Sequence, residues 1–309
     1  MENENQSKPL VSVVVFSYNS SLTIVETLDS IKNQTYQQIE LIITDDCSKD
    51  GTLEIAENWL IKNKDRFHDA LFLKSSQNTG VSANGNRGCY ASHGEWIKVI
   101  AADDVLLPNC IEDYVNFVHE YPQFGFVFAK EKGIGNDDEY KRWPFKDVHR
   151  IFELLNHNEQ FVLLCQHNFI PTPTFFFSSK LFSELGGYDE SIPFLEDRPL
   201  LLKAYRKGCR MGFLNTYTVA YRFSSNSISQ PESKSDKREL FKESYSKMTK
   251  LSHRYLEEYS IGAKFFSRTS GNRTRVGRML FYLNVFNPFY YKNRRIIHVF
   301  NAVVKSNRN

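Results

Sequence analysis

The sequence predicts an α/β fold in which a largely parallel sheet is wound with helices. Three observations carry this. Short β-branched apolar runs alternate with segments of helical period through the first hundred residues. The runs are predominantly apolar, as strands covered on both faces tend to be. Each ends in polar residues that lead into a turn or a helix cap.

The first run is Leu10 to Phe16, ended by Ser17-Tyr18-Asn19. Ser20 or Ser21 is placed to cap a helix whose apolar face would be Leu22, Val25, Leu28 and Ile31. Ile39 to Thr44 is the second strand, closed by Asp45-Asp46. Ser48 to Thr52 reads as turn and cap, and Leu53, Ala56, Trp59 and Leu60 form the next stripe. Ala70 to Leu73 is a short third strand, and Gly80 to Ser92 a small-residue helix. Trp96 to Ala102 is the fourth strand, ending in Asp103-Asp104, and Pro108 fits the first turn of a helix. Beyond it, Gly133 to Arg142 reads as a polar turn, Val148–Leu155 and Glu159–Cys165 as helices, and Phe175-Phe176-Phe177 as a strand.

Composition sets limits. The chain has 309 residues, 41% of them hydrophobic, enough for one large α/β domain with an appendage. Its five cysteines are scattered without a CxxC pair, which argues for reduced thiols in a cytosolic setting. The polar N-terminus is unlike a signal peptide, and no uncharged apolar run has spanning length. The net charge of +3 is divided: Tyr259 to Asn309 holds ten Lys/Arg and no Asp or Glu. Residues 1–258 therefore carry 29 basic and 36 acidic residues, about −7. In the tail, Phe265-Phe266, Phe289-Tyr290-Tyr291 and Ile296-Ile297 interleave with the basic residues. That pattern suits an anionic membrane surface, or helices packed on the body with a basic face in water. No nucleic-acid module is present.

Candidate chemistry gathers at the strand ends, where open α/β sheets bind ligands. Asp103 and Asp104 point in alternate directions, so one can hold Mg²⁺ or Mn²⁺ while the other faces a hydroxyl; a turn Asp beside a capping Asp is the plain alternative. Tyr18 can stack on a base, and Asp46 can accept the imide N–H of uracil. Asn78, Asn84, Asn86 and Arg87 can reach ribose or phosphate, or can simply cap a helix. The absence of GxGxxG and GxxxxGK[ST] argues against a dinucleotide enzyme or a P-loop NTPase.

The stretches VSVVVFSYN, ELIITDDCSKDGT, NTGVSANGNRG and WIKVIAADDVLLP, over roughly residues 9–110, resemble the nucleotide-binding half of family 2 glycosyltransferases. GGYDESIPFLEDRPLLLKAYRKG, residues 186–208, resembles their acceptor-side motif. The resemblance implies the GT-A fold, with a catalytic domain over 1–235 (nucleotide-binding half 9–110, acceptor-side half 111–235) and a basic, aromatic-rich helical region over 236–309. It implies an inverting transfer of a hexose, glucose or galactose favoured, from a UDP-sugar with Mn²⁺ or Mg²⁺. The acceptor would be a polyprenyl-diphosphate-linked glycan in bacterial surface polysaccharide (O-antigen or capsule) synthesis. The enzyme would then lie in the cytoplasm, peripheral at the inner face of the plasma membrane. Alternatives are a dTDP-rhamnose or UDP-N-acetylhexosamine donor, or a non-catalytic nucleotide- or carbohydrate-binding protein.

By the same resemblance, Tyr18 and Asp46 would hold uracil, Asp103 the ribose and Asp104 the metal. Asn84 and Arg87 would belong to the donor site. Asp197 would be the general base, with Glu196 as runner-up or orienting partner, although a solvated helix start explains the pair equally well on sequence. Arg222 would pair with the diphosphate as a lid closes. Two positions depart from the family pattern. Ala101 stands where many relatives carry the first Asp of Asp-x-Asp-Asp, and Ser224 stands where many carry His.

Overall fold

A computed structural model describes residues 8–134, 152, 154–223 and 235–259. The chain divides into two compact units. The first is Met1–Lys141, Pro171–Glu190 and Cys209–Ser227; the second is Arg142–Ile170, Ser191–Gly208 and Ile228–Asn309.

The first unit is built on an eight-stranded sheet in the order β3-β2-β1-β4-β7-β6-β8-β5. The strands are β1 (Val11–Ser17), β2 (Ile39–Asp45), β3 (Asp69–Lys74), β4 (Trp96–Ala101), β5 (Val105–Leu106), β6 (Phe126–Ile134), β7 (Phe176–Ser178) and β8 (Met211–Arg222). β3, β2, β1 and β4 are parallel, as their predominantly apolar pattern predicts. The short β7 then runs antiparallel between β4 and β6, and β8 is parallel to β6. The sheet is therefore mixed beyond β4.

One face of the parallel strands buries Val11, Val13, Val15, Ile39, Leu41 and Ile43. Against it pack α1 (Ile24–Lys32), α2 (Thr52–Asn63) and α4 (Cys110–Glu120) through Leu28, Ile31, Trp59, Ile111 and Tyr114. The other face carries Val14 and Thr44 and meets α3 (Val81–Tyr90). Glycine is required there: a Cβ on Gly88 would lie 2.4 Å from Val14 Cγ1 and 3.0 Å from Thr44 Cγ2. Gly88→Ala is expected to cost about 2 kcal/mol by levering α3 off the sheet, read as a lower denaturant midpoint at unchanged m-value.

Several elements differ from the sequence reading. α1 starts at Ile24 and buries Ile24, Thr27, Leu28 and Ile31, while Leu22 is 97% exposed and Val25 41%. The hydroxyls explain the shift: Thr23 Oγ1 donates to Ala102 O (2.9 Å) and Thr27 Oγ1 to Asp104 O (2.7 Å), so a polar stripe turns inward. Pro108 precedes α4 by two residues rather than opening it, and its carbonyl accepts from Thr35 N. β4 stops at Ala101 and buries Lys98 completely, a charge that the apolar reading of this strand passes over.

At the opposite end of the strands from Asp45 and Asp103, the buried Glu40 accepts from Ser12 Oγ and His93 N (2.9 Å), and meets His93 Nδ1 at 2.7 Å. That hydrogen bond, with the Glu40 charge, raises the His93 pKa. A base whose pKa is raised in the folded state adds stability that is full below its unfolded value of about 6.5 and fades as pH rises through the folded value. The thermal midpoint of the wild type minus that of His93→Gln should therefore be larger at about pH 6 than at about pH 9.

In the second unit, α5 (His157–Leu164) opens on a reciprocal cap in which Asn156 and Glu159 each accept the other's backbone N–H at 3.0 Å. The C-terminal end of α5 is closed by Arg198, a buried residue of α7 (Asp197–Arg206), which donates to the carbonyls of Leu164 (2.9 Å) and Cys165. α8 (Ser235–Tyr259) joins them: Tyr255 packs on Phe161 and lies 4.2 Å from the Arg206 guanidinium. The start of the helical C-terminal region thus packs within this unit. The ten basic residues counted from Tyr259 onward, most of Val148–Leu155, and Ser224 lie outside the described residues. α6 (Ser179–Leu185) belongs to the first unit and ends on Gly186 in the left-handed region.

Candidate active site

The C-terminal ends of β1, β2 and β4 bring the first-unit candidates together. Tyr18 leaves β1 with its ring 45% exposed, open to a stacking partner. β2 ends in a wired turn. Asp45 accepts from Ser17 Oγ (3.0 Å), Ser48 Oγ (2.6 Å) and Ser48 N (2.8 Å), which joins β1 to β2. Asp50 accepts from Thr52 N and Ser21 N. Burial opposes its ionisation, but the Thr52 and Ser21 bonds win and lower its pKa to about 2. Cys47, between these carboxylates, sits at φ +69, a conformation β-branched residues avoid.

Asp46 is buried and accepts from Thr79 N (3.0 Å), Thr79 Oγ1 (2.6 Å) and Gly80 N (2.7 Å), with Arg87 at 3.6 Å. Thr79 N is shared between both Asp46 oxygens at 3.0 Å, so the roughly four acceptor positions of the carboxylate are all engaged within the protein. Asn84 is turned inward. Its Oδ1 accepts from Thr44 Oγ1 and Arg87, and its Nδ2 donates to the carbonyls of Ser17 and Thr44. Every hydrogen-bonding position of that amide is used inside the protein, so Asn84 orients Arg87 and the β1–β2 ends instead of reaching outward. Asn86 is likewise buried, on the backbone of Tyr188 and on Glu190. Arg87 donates to Thr79 Oγ1 (2.9 Å) and keeps part of its guanidinium exposed.

Beyond β4, the 102–104 turn is held from two sides. α1 supplies the Thr23 and Thr27 bonds already described. From the end of β8, Arg222 N donates to Asp104 Oδ1 (2.9 Å), Arg222 Nε to Asp103 O (2.9 Å), and the guanidinium pairs with Glu26. Asp104 is 1% exposed, and its Oδ2 is buried with no hydrogen-bond partner. Burial first, then the neighbouring Asp103 and Glu131 charges, push its pKa up against the Arg222 amide. Burial likewise raises Asp103, and Glu131 to about 7. Behind them burial lowers Lys98 to about 8; its Nζ donates to Val99 O (2.7 Å) and Pro173 O (2.5 Å).

A cluster of buried carboxylates with an orphaned acceptor is costly unless a cation completes it. The oxygen-only donor set fits Mg²⁺ or Mn²⁺, which commonly bind through one or two carboxylates and fill the rest of their shell with phosphate oxygens and water. Among the described residues no three His, Cys, Asp or Glu side chains form a ready-made metal cage.

In the second unit, Asp197 begins α7. Its Oδ2 accepts from Asn168 Nδ2 (2.6 Å) and its Oδ1 from Arg198 N (2.6 Å). Burial and the Asp197 charge raise the pKa of Glu196. Phe194, two residues earlier, is held at φ +63, a strained position for a bulky side chain.

Sequence reasoning misses Thr79, Glu26 and Asn168. Their partners lie 33, 196 and 29 residues away, so no local spacing marks them. Glu131 follows an irregular register in β6, between Ala129 and Glu131, that no composition signal reveals.

Comparison with known proteins places the chain in a fold and a family. An uncharacterized glycosyltransferase of Rickettsia prowazekii is 28% identical over 203 residues, 66% of this chain and 61% of that protein. The chain thus spans about three-fifths of the length of that relative. Glycosyltransferase GlyG of Streptococcus pneumoniae is 28% identical over 72% of this chain and 74% of its own length. Among solved structures, Staphylococcus aureus TarS (residues 1–349, with UDP) superposes with a TM-score of 0.61 at 17% identity, over 97% of this chain and 91% of that one. The mannosyltransferase PcManGT of Pyrobaculum calidifontis, in complex with GDP-Man and Mn²⁺, gives 0.55 at 16% identity, over 98% and 88%. These likenesses establish the GT-A fold. The Glycosyl transferase family 2 profile matches residues 12–186, more than half of the chain, and the protein belongs to that family.

Proposed function

We propose that the protein is an inverting glycosyltransferase that moves a hexose from a UDP-sugar to a lipid-diphosphate-linked glycan acceptor of a bacterial surface polysaccharide. The observation that carries the donor side is the orphaned Asp104 Oδ2 beside Asp103, at the C-terminal end of β4. When bound there, a divalent cation would stabilise the charge that builds on the departing diphosphate. Asp104 would hold that cation and Asp103 the ribose hydroxyls. Tyr18 would stack on uracil, and Asp46 would take the imide N–H by releasing one of its two bonds from the shared Thr79 N. Arg87, braced by Asn84 and Thr79, keeps Asp46 in place and offers an exposed edge to the donor. Arg222 has guanidinium N–H groups beyond its bonds to Asp103 and Glu26, which suit a phosphate oxygen. UDP-GlcNAc bound by TarS supports a uridine donor.

Transfer needs a base, because the acceptor hydroxyl loses its proton as it attacks the anomeric carbon opposite the diphosphate. Asp197 takes that role: Asn168 and Arg198 N fix its carboxylate, and Glu196 beside it, with its raised pKa, favours the protonated form and can orient the acceptor by donating a hydrogen bond. No helix among the described residues is long and apolar enough to cross a membrane. The basic, aromatic-rich sequence from Tyr259 to Asn309 supports contact with a lipid-linked acceptor at the membrane surface.

The test is a panel of UDP-, GDP- and dTDP-sugars with Mn²⁺ or Mg²⁺, a synthetic lipid-diphosphate-GlcNAc or -GalNAc acceptor, and an EDTA control. Metal-dependent transfer from one UDP-hexose is the expected result. Transfer from dTDP-rhamnose or UDP-N-acetylhexosamine would correct the donor. Absence of both turnover and UDP binding would overturn the reading.

A further inference from the structure

α3 does more than line the donor side of the sheet. Its outer surface is cut to receive the segment Gly186–Glu190. Asn86 Oδ1 accepts from Tyr188 N at 2.8 Å, and Asn86 Nδ2 donates to Tyr188 O (3.1 Å) and to Glu190 Oε1 (2.7 Å). One side chain thereby pairs both backbone groups of Tyr188, more than a hundred residues away, and fastens Glu190 as well. The seat has no spare room. A Cβ on Gly85 would lie 2.9 Å from Tyr188 Cε2 and 3.0 Å from Phe16 Cζ. A Cβ on Gly187, which sits at φ +65, would lie 2.5 Å from Asn86 Oδ1 and 2.6 Å from Tyr90 Oη. The Tyr188 ring is wedged edge-on between Phe16 and Phe182.

The chain that leaves this seat reaches Phe194, Glu196 and Asp197 within nine residues of Tyr188. The same α3 carries Arg87 one position on, and its N-terminal approach, Thr79-Gly80, is gripped by Asp46. We propose that Asn86 is a positioning residue for the transfer reaction: by clamping Tyr188 and Glu190 it fixes the origin of the segment that delivers the acceptor-side carboxylates, on the helix that carries donor-side residues. This rests on the transferase reading above. Asn86 itself touches neither donor nor acceptor. Its removal is expected to act on turnover and leave nucleotide affinity alone, because a misplaced base slows chemistry without loosening the donor.

The experiment compares wild type, Asn86→Ala and the exchanged pair Asn86→Asp/Glu190→Gln. In the exchanged pair the carboxylate introduced at position 86 can accept from Tyr188 N and from the amide introduced at position 190, and only the bond to Tyr188 O is lost. UDP affinity with Mn²⁺ by calorimetry, kcat and KM for transfer, and hydrogen exchange of the 187–197 amides are measured on full-length protein. Asn86→Ala should keep the UDP Kd within about threefold, lower kcat by about 10²-fold, and speed exchange at Tyr188 and beyond. The exchanged pair should recover part of kcat. Wild-type kcat in folded Asn86→Ala, or unchanged exchange over 187–197, would overturn the proposal while leaving the transferase reading intact. So would equal loss of kcat and UDP affinity, which would make Asn86 a general prop of the donor side. A wild type silent with every donor would instead overturn the transferase reading, and this proposal with it.

Discussion

Asp197→Asn is expected to lower transfer by about 10³-fold while UDP still binds, since positioned general bases contribute roughly 10²–10⁴. Asn is the informative replacement. It keeps the shape of the side chain and can still accept from Asn168 Nδ2 through its carbonyl, at the cost of the bond from Arg198 N. It cannot take the acceptor proton. UDP affinity should stay near the wild-type value, because the carboxylates and arginines assigned to the donor belong to the other unit. The check is a kcat measurement beside UDP calorimetry. Near-normal kcat would move the base to Glu196. Equal loss of binding and turnover would mean that Asp197 works through structure. Glu196→Gln, by contrast, should retain most activity if Glu196 acts in its protonated form, since Gln also donates.

Asp104→Asn should remove metal-dependent turnover, by about 10² to 10³ or more for the loss of a main electrostatic stabiliser. It should also leave the metal-free protein as stable as wild type, or more so. Ordinary buried carboxylates lose stability when replaced because a bonded network breaks. Asp104 is different. Its Oδ2 is buried without a partner, and Asp103 and Glu131 crowd it with like charge. Removing that charge relieves the folded state, while the amide oxygen can still accept from Arg222 N. A variant that loses activity and gains thermal midpoint marks a residue held for function against the interest of folding. A marked fall in midpoint would instead make Asp104 a structural tie of the β4–β8 turn.

Much of the framework is legible in the sequence because it rests on local signals. Continuous apolar runs find the parallel strands within a residue or two, and polar strand ends locate Tyr18, Asp46 and Asp103–Asp104. Where long-range bonds decide, the sequence misleads or stays silent. Apolar periodicity draws the α1 stripe through Leu22 and Val25 because it ignores hydroxyls, yet Thr23 and Thr27 turn inward to satisfy the carbonyls of the 102–104 turn. Asn84 and Arg87 lie against the ends of β1 and β2 as one braced pair, with only the arginine edge facing out. Lys98 and Glu131 look like ordinary polar interruptions; burial beside Asp104 gives them their weight.

The most direct test of the account is a Mn²⁺ titration followed by electron paramagnetic resonance, with and without UDP, on wild type and Asp104→Asn. The account predicts weak Mn²⁺ binding alone, marked tightening with UDP, and loss of that tightening in Asp104→Asn. UDP binding that is indifferent to metal and to Asp104→Asn would contradict it.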